Sequence, residues 1–423
     1  MKEDIHCVYV NLLKKELIPA LGCTEPIALA YASAKAREVL GSKPKELIIT
    51  CSGNVIKNVK GVIVPNSGGQ KGIEAAAVLG VLAGDSSKGL NVLEDVTERD
   101  IEETKILISS GYCICKLKEN VDNLYITAKA INGEEYSEVT IVNRHTLIVE
   151  IVKNGEIIFK NDIDSIKDDD SSETTVSLLS IYNFVNEVPI SEIKDVIEYQ
   201  IKCNWEIANE GINNPYGSQV GRTLMETYGD KVEIRARAMA AAGSDARMGG
   251  CNMPVVINSG SGNQGMTISL PIIEYARELK VSDEKLIRAL ALGNLAALHQ
   301  KKYIGRLSAF CGVVCAAAGA GAGIAYLYDM NLKSISNIIA DTVANVGGIV
   351  CDGAKASCAA KIASAVDAAI LSFNMEKRNR SFIPGDGIIS EDIERTIRNV
   401  GHIGKVGMKL TDAEILNIMI ENK

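Results

Sequence analysis

Apolar residues recur at helical spacing over residues 5–18, until Pro19 and Gly22 interrupt the pattern. A second helix is predicted from about Pro26 to Leu40. The run ELIITCSGNVI at 46–56 reads as a strand, and GVIVP at 61–65 as another. A turn then leads into the helical run IEAAAVLGVLAG. From 106 to 160, β-rich stretches dominate: ILISSGYCICKL, NLYITAKAI, SEVTIVNR, HTLIVEIV and EIIFK. Asn132-Gly133 and Asn154-Gly155 are hairpin signals between them. An antiparallel sheet with helices on one side accounts for this half. Residues 161–175, NDIDSIKDDDSSETT, are acidic and Ser-rich, and mark a domain boundary. A solvated linker explains them better than an acidic site. Beyond them the strand signal nearly vanishes, and residues 176–423 read as successive helices, several rich in Ala and Gly. The expected fold class is α+β. A mixed domain with an antiparallel sheet spans 1–165, and an all-α domain with Ala/Gly-rich central helices spans 166–423.

Composition narrows the function. The chain has 423 residues, 47% hydrophobic and 23% charged, so it can bury a substantial core. Aromatics are only 4%, which favours close packing of small side chains over an aromatic-lined pocket. The net charge of −8 and the lack of a basic cluster argue against nucleic-acid binding. Eleven cysteines are an odd number in a long chain, and the polar start MKEDIHCVYV has no apolar core of a secretory signal. They do not read as a disulfide framework, and a reducing cytoplasm is expected. None of the four histidines is paired at zinc-ligand spacing. From Leu307 to Tyr328 no charge occurs. The content is mostly Ala, Gly, Ser and Cys, so a buried central helix is expected rather than a membrane span. Such helices could also pack between copies of the chain, which leaves a homo-oligomer open.

Candidate chemistry concentrates in a few motifs. Gly22-Cys23-Thr24-Glu25-Pro26 opens a helical run. A thiol at the positive end of a helix dipole has a lowered pKa and can act as base or nucleophile. A small buried hydrophobe at a helix start is the plain alternative. Two loops echo each other: VPNSGGQ at 64–70 and VINSGSGNQ at 256–264. Their glycines let backbone N–H groups approach a ligand, and the helix that follows favours an anion. Asn66, Ser67, Asn258, Ser259, Ser261 and Asn263 add neutral donors. Neither loop is a Walker or dinucleotide-binding motif, so an amino-acid carboxylate fits better than a nucleotide. Two polar turns capping helices would look the same. Asp245 and Arg247 sit among small residues in AAAGSDARMGG. Lys355, between Cys351 and Cys358, offers little support for pyridoxal phosphate. Cys311, Cys351 and Cys358 lie in small-residue surroundings and could hold an iron–sulfur cluster with one iron left free. Their spacing matches neither zinc pairs nor the ferredoxin run. Cys315, four residues after Cys311, competes for a ligand role, and buried structural thiols remain an equal reading.

With these residues in view, the chain resembles the L-cysteine desulfidase family, relatives of the iron–sulfur L-serine dehydratases. GCTEPIALA, SGNVIKN, GVIVPNSGG, SDARMGG, NSGSGNQG, LSAFCG and CDGAKASCA carry the resemblance, in collinear order along nearly the whole chain. It implies an oxygen-sensitive 4Fe–4S cluster, no pyridoxal phosphate, and conversion of L-cysteine to hydrogen sulfide, ammonia and pyruvate. It implies Cys311, Cys351 and Cys358 as cluster ligands and Cys23 as the base, with Cys315 and Cys251 dispensable. The Asn/Ser loops would hold the substrate carboxylate. Thr24, Glu25 and Asn54, in the matched stretches, are further candidate substrate contacts. The first helices, about 1–40, are then expected to pack on the helical domain. An L-serine dehydratase would need the same open iron and base. A sulfur carrier or redox sensor would leave Cys23 and the two loops unexplained.

Overall fold

A computed structural model describes residues 5–161, 176–305 and 307–421. Its α+β architecture divides into two compact units. One takes the described parts of Met1–Pro19, Thr175–Cys351 and Ala356–Lys409. The other takes those of Ala20–Thr174, Asp352–Lys355 and Leu410–Lys423. The expected boundary at 165/166 and the acidic stretch from 162 lie outside the described residues.

The second unit is built on a six-stranded sheet. Its strand order is Cys113–Leu117, Glu46–Cys51, Tyr125–Asn132, Glu135–Val142, Ile148–Lys153, Glu156–Lys160. Four of the five pairings are antiparallel. The fifth, between Glu46–Cys51 and Cys113–Leu117, is parallel, with Leu47 opposite Cys113. Helices intervene between those two strands, and a helical crossover returns the chain in the same direction. Both Asn-Gly signals lie at hairpins. Asn154 and Gly155 have φ of 50° and 87°, as a tight two-residue turn requires. The strand at 46–56 stops at Cys51, because Ser52 caps a short helix, Gly53–Val59, by accepting from the Val55 N–H. GVIVP is not a strand; only an isolated bridge joins Ile63 to Lys71, where the chain turns toward the helix Gly72–Ala83. Residues 106–109 end a helix, Glu98–Ser109, fixed at its start by a Thr97–Asp100 capping box. The helix Thr24–Leu40 packs against the sheet and against Gly72–Ala83. Ser137 Oγ donates to the Ala36 carbonyl there, so Ser137 is satisfied although fully buried.

The first unit is almost entirely helical, with one short strand, Pro254–Val256. The helix Ile5–Glu16 packs within it. Tyr9 Oη meets Ser180 Oγ at 2.6 Å, and the Tyr9 ring lies on Phe184. At the centre, Asp283–Ile304 pairs with Val313–Leu327. Small residues set that approach: a Cβ on Gly319 would sit 2.4 Å from the Gly293 carbonyl oxygen. The uncharged stretch thus forms a buried helix of 15 residues, short of a bilayer span. Among the described residues one helix, Ser357–Glu376, is long and apolar enough to cross a membrane by length and composition; 56% of that window is buried in the fold.

Candidate functional site

In the helical unit, two loops bring the C-terminal cysteines together. Phe310 bridges Val350, the Cys311 N–H donates to the Ile349 carbonyl, and the Cys351 N–H donates to the Ala309 carbonyl at 2.6 Å. These backbone bonds fix Cys311 beside Cys351, and their thiols share a hydrogen bond. Cys358, in the first turn of Ser357–Glu376, is close enough for its charge to act on Cys311. Hydrogen bonding to Cys351, then burial, then the charges of Cys351 and Cys358, push the Cys311 thiol well above its ordinary value. Cys311 is buried, while Cys351 and Cys358 are partly exposed. Three soft sulfur donors with an accessible side suit an iron–sulfur cluster, whose iron replaces the thiol protons. Among the described residues, no three His, Cys, Asp or Glu side chains already stand at metal-binding distances. Cys315 is fully buried: burial raises its thiol to about 11, with Lys301 pulling the other way. Cys251 hydrogen-bonds Tyr216 and the Met253 backbone.

The 258–264 loop belongs to the same unit and reaches the same place. A Cβ on Gly312, next to Cys311, would lie 2.6 Å from the Gln264 amide carbon. Asn258 spends its Nδ2 on the backbone and side chain of Asn294, and Ser259 donates to Asn258 Oδ1. Both therefore shape the loop. Ser259 holds φ at 50°, a left-handed conformation uncommon outside glycine. Ser261 begins the helix Gly262–Leu279 without its hydroxyl capping it. Asn263 places its Nδ2 on the Met248 sulfur at 3.8 Å; its Oδ1, and the Oε1 of Gln264, are buried without a protein partner. Arg247 is buried, and a Cβ on Gly262 would meet its Nε at 2.6 Å. A guanidinium thus runs past the positive end of a helix, which suits an anion.

In the sheet unit, Cys23 is the N-cap residue of Thr24–Leu40 and is buried. Gly22 before it has φ of 55°, and a Cβ there would collide with Pro65 at 2.2 Å. Thr24 Oγ1 donates to Glu25 Oε2 at 3.2 Å, and Asn58 Nδ2 donates to Glu25 Oε1 at 3.0 Å. Asn54, one turn before Asn58 on the helix Gly53–Val59, keeps a buried Oδ1 without a protein partner. Asn66 and Ser67 are used in building their loop: Asn66 Nδ2 donates to the Leu93 carbonyl and Ser67 Oγ to the Gln70 carbonyl. The echo between the two Asn/Ser loops is a shared local geometry. Each has a non-glycine residue near φ of 50°, Asn66 and Ser259, and each precedes a helix.

The loop after Cys351 packs in this second unit. A Cβ on Gly353 would lie 2.4 Å from the Lys57 carbonyl oxygen and 3.4 Å from the Asn58 Cα. Gly353 is therefore held against the helix that carries Asn58. Sequence reasoning passed over Asn58, His145 and Gln264 as site residues. Asn58 and Gln264 both lie inside the motifs SGNVIKN and NSGSGNQG, which was the available signal.

Comparison with known proteins follows this geometry. Residues 87–417 match the model of the serine dehydratase alpha chain family. A UPF0597 protein of Lachnoclostridium phytofermentans is 54% identical over 411 residues, covering 97% of this chain and 99% of its own. One from Desulfitobacterium hafniense is 52% identical over 413 residues, covering 97% and 96%. One from Finegoldia magna is 48% identical over 414 residues, covering 98% and 99%. By the extent of the first match, the chain belongs to the serine dehydratase alpha chain family.

Proposed function

We propose that the protein is an L-cysteine desulfidase of the cytoplasm, eliminating hydrogen sulfide from L-cysteine to leave pyruvate and ammonia. The observation that supports this reading is the contact of the Cys311 and Cys351 thiols, with Cys358 near enough for its charge to act on Cys311, within a chain of the serine dehydratase alpha chain family. These three thiols would hold a 4Fe–4S cluster, which when bound supplies a Lewis-acid iron for the substrate's β-substituent.

The chain's own residues do the rest. Ser261, Arg247 and the first N–H groups of Gly262–Leu279 receive the α-carboxylate. Cys23, at the start of Thr24–Leu40, takes the α-proton as a thiolate, favoured by the helix dipole. Loss of the proton and of hydrogen sulfide leaves aminoacrylate, which tautomerises to the imine. Water then releases ammonia and pyruvate. The family model's own description favours a second reading, L-serine dehydratase, with water as the group eliminated. Anaerobically reconstituted protein, assayed for pyruvate on L-cysteine and on L-serine, separates the two. A higher kcat/KM on L-cysteine supports the desulfidase; a higher value on L-serine replaces it with the dehydratase. Pyruvate from neither substrate overturns both.

A further inference from the structure

The sheet unit carries a cysteine group of its own. Cys51 ends the strand Glu46–Cys51, and Cys113 and Cys115 lie on the neighbouring strand Cys113–Leu117. The two strands pair in parallel, with Leu47 opposite Cys113 and Ile49 opposite Cys115. Alternate residues of a strand share a face, so all three thiols project from the face that carries Leu47 and Ile49. Leu47 and Ile49 are buried, and the helix Gly72–Ala83 packs against both strands. Cys51 and Cys113 are buried, whereas Cys115 is partly exposed, on the strand that forms one edge of the sheet. Cys51 and Cys115 share a hydrogen bond, and Cys113 is near enough for its charge to act on Cys51.

The two bonded thiols are not equivalent. Their hydrogen bond, opposed by burial and by the Glu74 carboxylate, holds Cys115 below the ordinary thiol range. The same bond, then burial, pushes Cys51 well above it. Cys51 therefore keeps its proton and donates to the Cys115 sulfur. An inert core thiol has no such donor and no open side. A partly exposed, more acidic thiol in contact with a buried one is the arrangement of a reactive cysteine beside its resolving partner. We propose that Cys115 reacts with hydroperoxides and that Cys51 resolves the product into a disulfide within the sheet. The Cys115 thiolate attacks one peroxide oxygen: an S–O bond forms, the O–O bond breaks, and the departing hydroxide or alkoxide takes up the proton that Cys115 had lost. The Cys51 sulfur then attacks the sulfenic sulfur: the S–S bond forms, the S–O bond breaks, and water carries off the Cys51 proton. The two sulfurs lose the electron pair that the peroxide gains. Burial raises Cys113 instead, so it stays a thiol. Cys51 directly precedes Ser52, the cap of the helix that carries Asn54 and Asn58, so the bridge forms beside candidate substrate contacts.

The test is peptide mapping by mass spectrometry after anaerobically reconstituted, full-length protein meets stoichiometric hydrogen peroxide. Remaining thiols are alkylated as the chain is unfolded, before digestion with trypsin. Cys51 falls in the peptide 46–57, and Cys113 and Cys115 both fall in the peptide 106–116. Wild type is expected to yield these two peptides joined, within monomeric chains, and dithiothreitol should separate them. Cys115→Ser should abolish the link and Cys113→Ser should keep it. Cys51→Ala should leave Cys115 as a sulfenic acid that dimedone labels. If Cys51→Ala does not fold, wild type and Cys115→Ser, altered at a partly exposed position, decide the question alone. Absence of the link from wild type, its survival in Cys115→Ser, its formation between chains, or its equal yield from urea-unfolded protein overturns the proposal. The readout does not involve pyruvate, so the thiol pair stands or falls separately from the lyase reading.

Discussion

Asp245 should make this fold lose stability as pH rises through the mildly acidic range. The residue is fully buried in the helix Val232–Met248, and its Oδ2 accepts from the Gly221 N–H at 3.0 Å. Burial pushes its carboxyl from 3.8 to about 6, against the opposing pull of the Gly221, Val220 and Ser218 N–H groups. At roughly 1.4 kcal/mol per pH unit, that rise is worth about 3 kcal/mol. The sign follows from proton binding. Between about pH 4 and 6 the folded chain keeps a proton that the unfolded chain has lost, so stability falls across that window and levels off above it. Asp341, also raised to about 6 by burial, adds to the same fall. Asp245→Asn retains an acceptor for Gly221 and removes the titration. Urea unfolding of wild type and Asp245→Asn at half-unit intervals from pH 4 to 7 measures the effect. The variant should gain on wild type by about 3 kcal/mol between pH 4 and 7, as an order of magnitude. Parallel stability curves would refute the reasoning.

Three further outcomes are expected. Cys351→Ala should lose the cluster, read as iron and acid-labile sulfide per chain after anaerobic reconstitution, whereas Cys23→Ala should keep it and lose pyruvate formation; an intact cluster in the first, or full activity in the second, would reassign those residues. Gly319→Ala places a methyl against the Gly293 carbonyl oxygen and should cost about 1–3 kcal/mol, as overpacking does, visible as a lower urea midpoint at constant slope. Glu394 is pushed up by burial, but the His299 hydrogen bond at 2.7 Å and the Leu178 N–H hold it below its ordinary value. Its contribution is present above the usual glutamate range and lost as pH falls through it, so Glu394→Gln should flatten the acid limb of the stability curve.

The sequence by itself determined the broad classes. β-rich runs ended by Asn132-Gly133 and Asn154-Gly155 specified two of the three hairpins between 125 and 160, because such turns demand positive φ and little else supplies it. Ala/Gly density specified tightly packed central helices, which Gly293 and Gly319 realise backbone against backbone. The start of Thr24–Leu40 was legible to within two residues, since the sequence placed it at about Pro26 and the cap falls at Cys23. GVIVP could not be read correctly, since a short apolar run is the same in a strand and in a buried loop. The parallel pairing of Cys113–Leu117 depended on a crossover that local pattern does not encode.

The chemistry of the site was mostly a tertiary decision. Spacing left Cys311, Cys315, Cys351 and Cys358 as equals. Two backbone hydrogen bonds between 309–311 and 349–351 place Cys311 against Cys351, while Cys315 is fully buried in the helix Val313–Leu327. Asn66, Ser67 and Asn258 looked like ligand donors, yet each is spent within its own neighbourhood. Asn58 and His145 looked unremarkable, and only folding brings both beside Glu25, where Asn58 Nδ2 donates to Oε1. A sequence fixes which groups a chain can offer and which local conformations it favours. Whether a polar atom is satisfied depends on distant neighbours, and that is settled only when the elements pack.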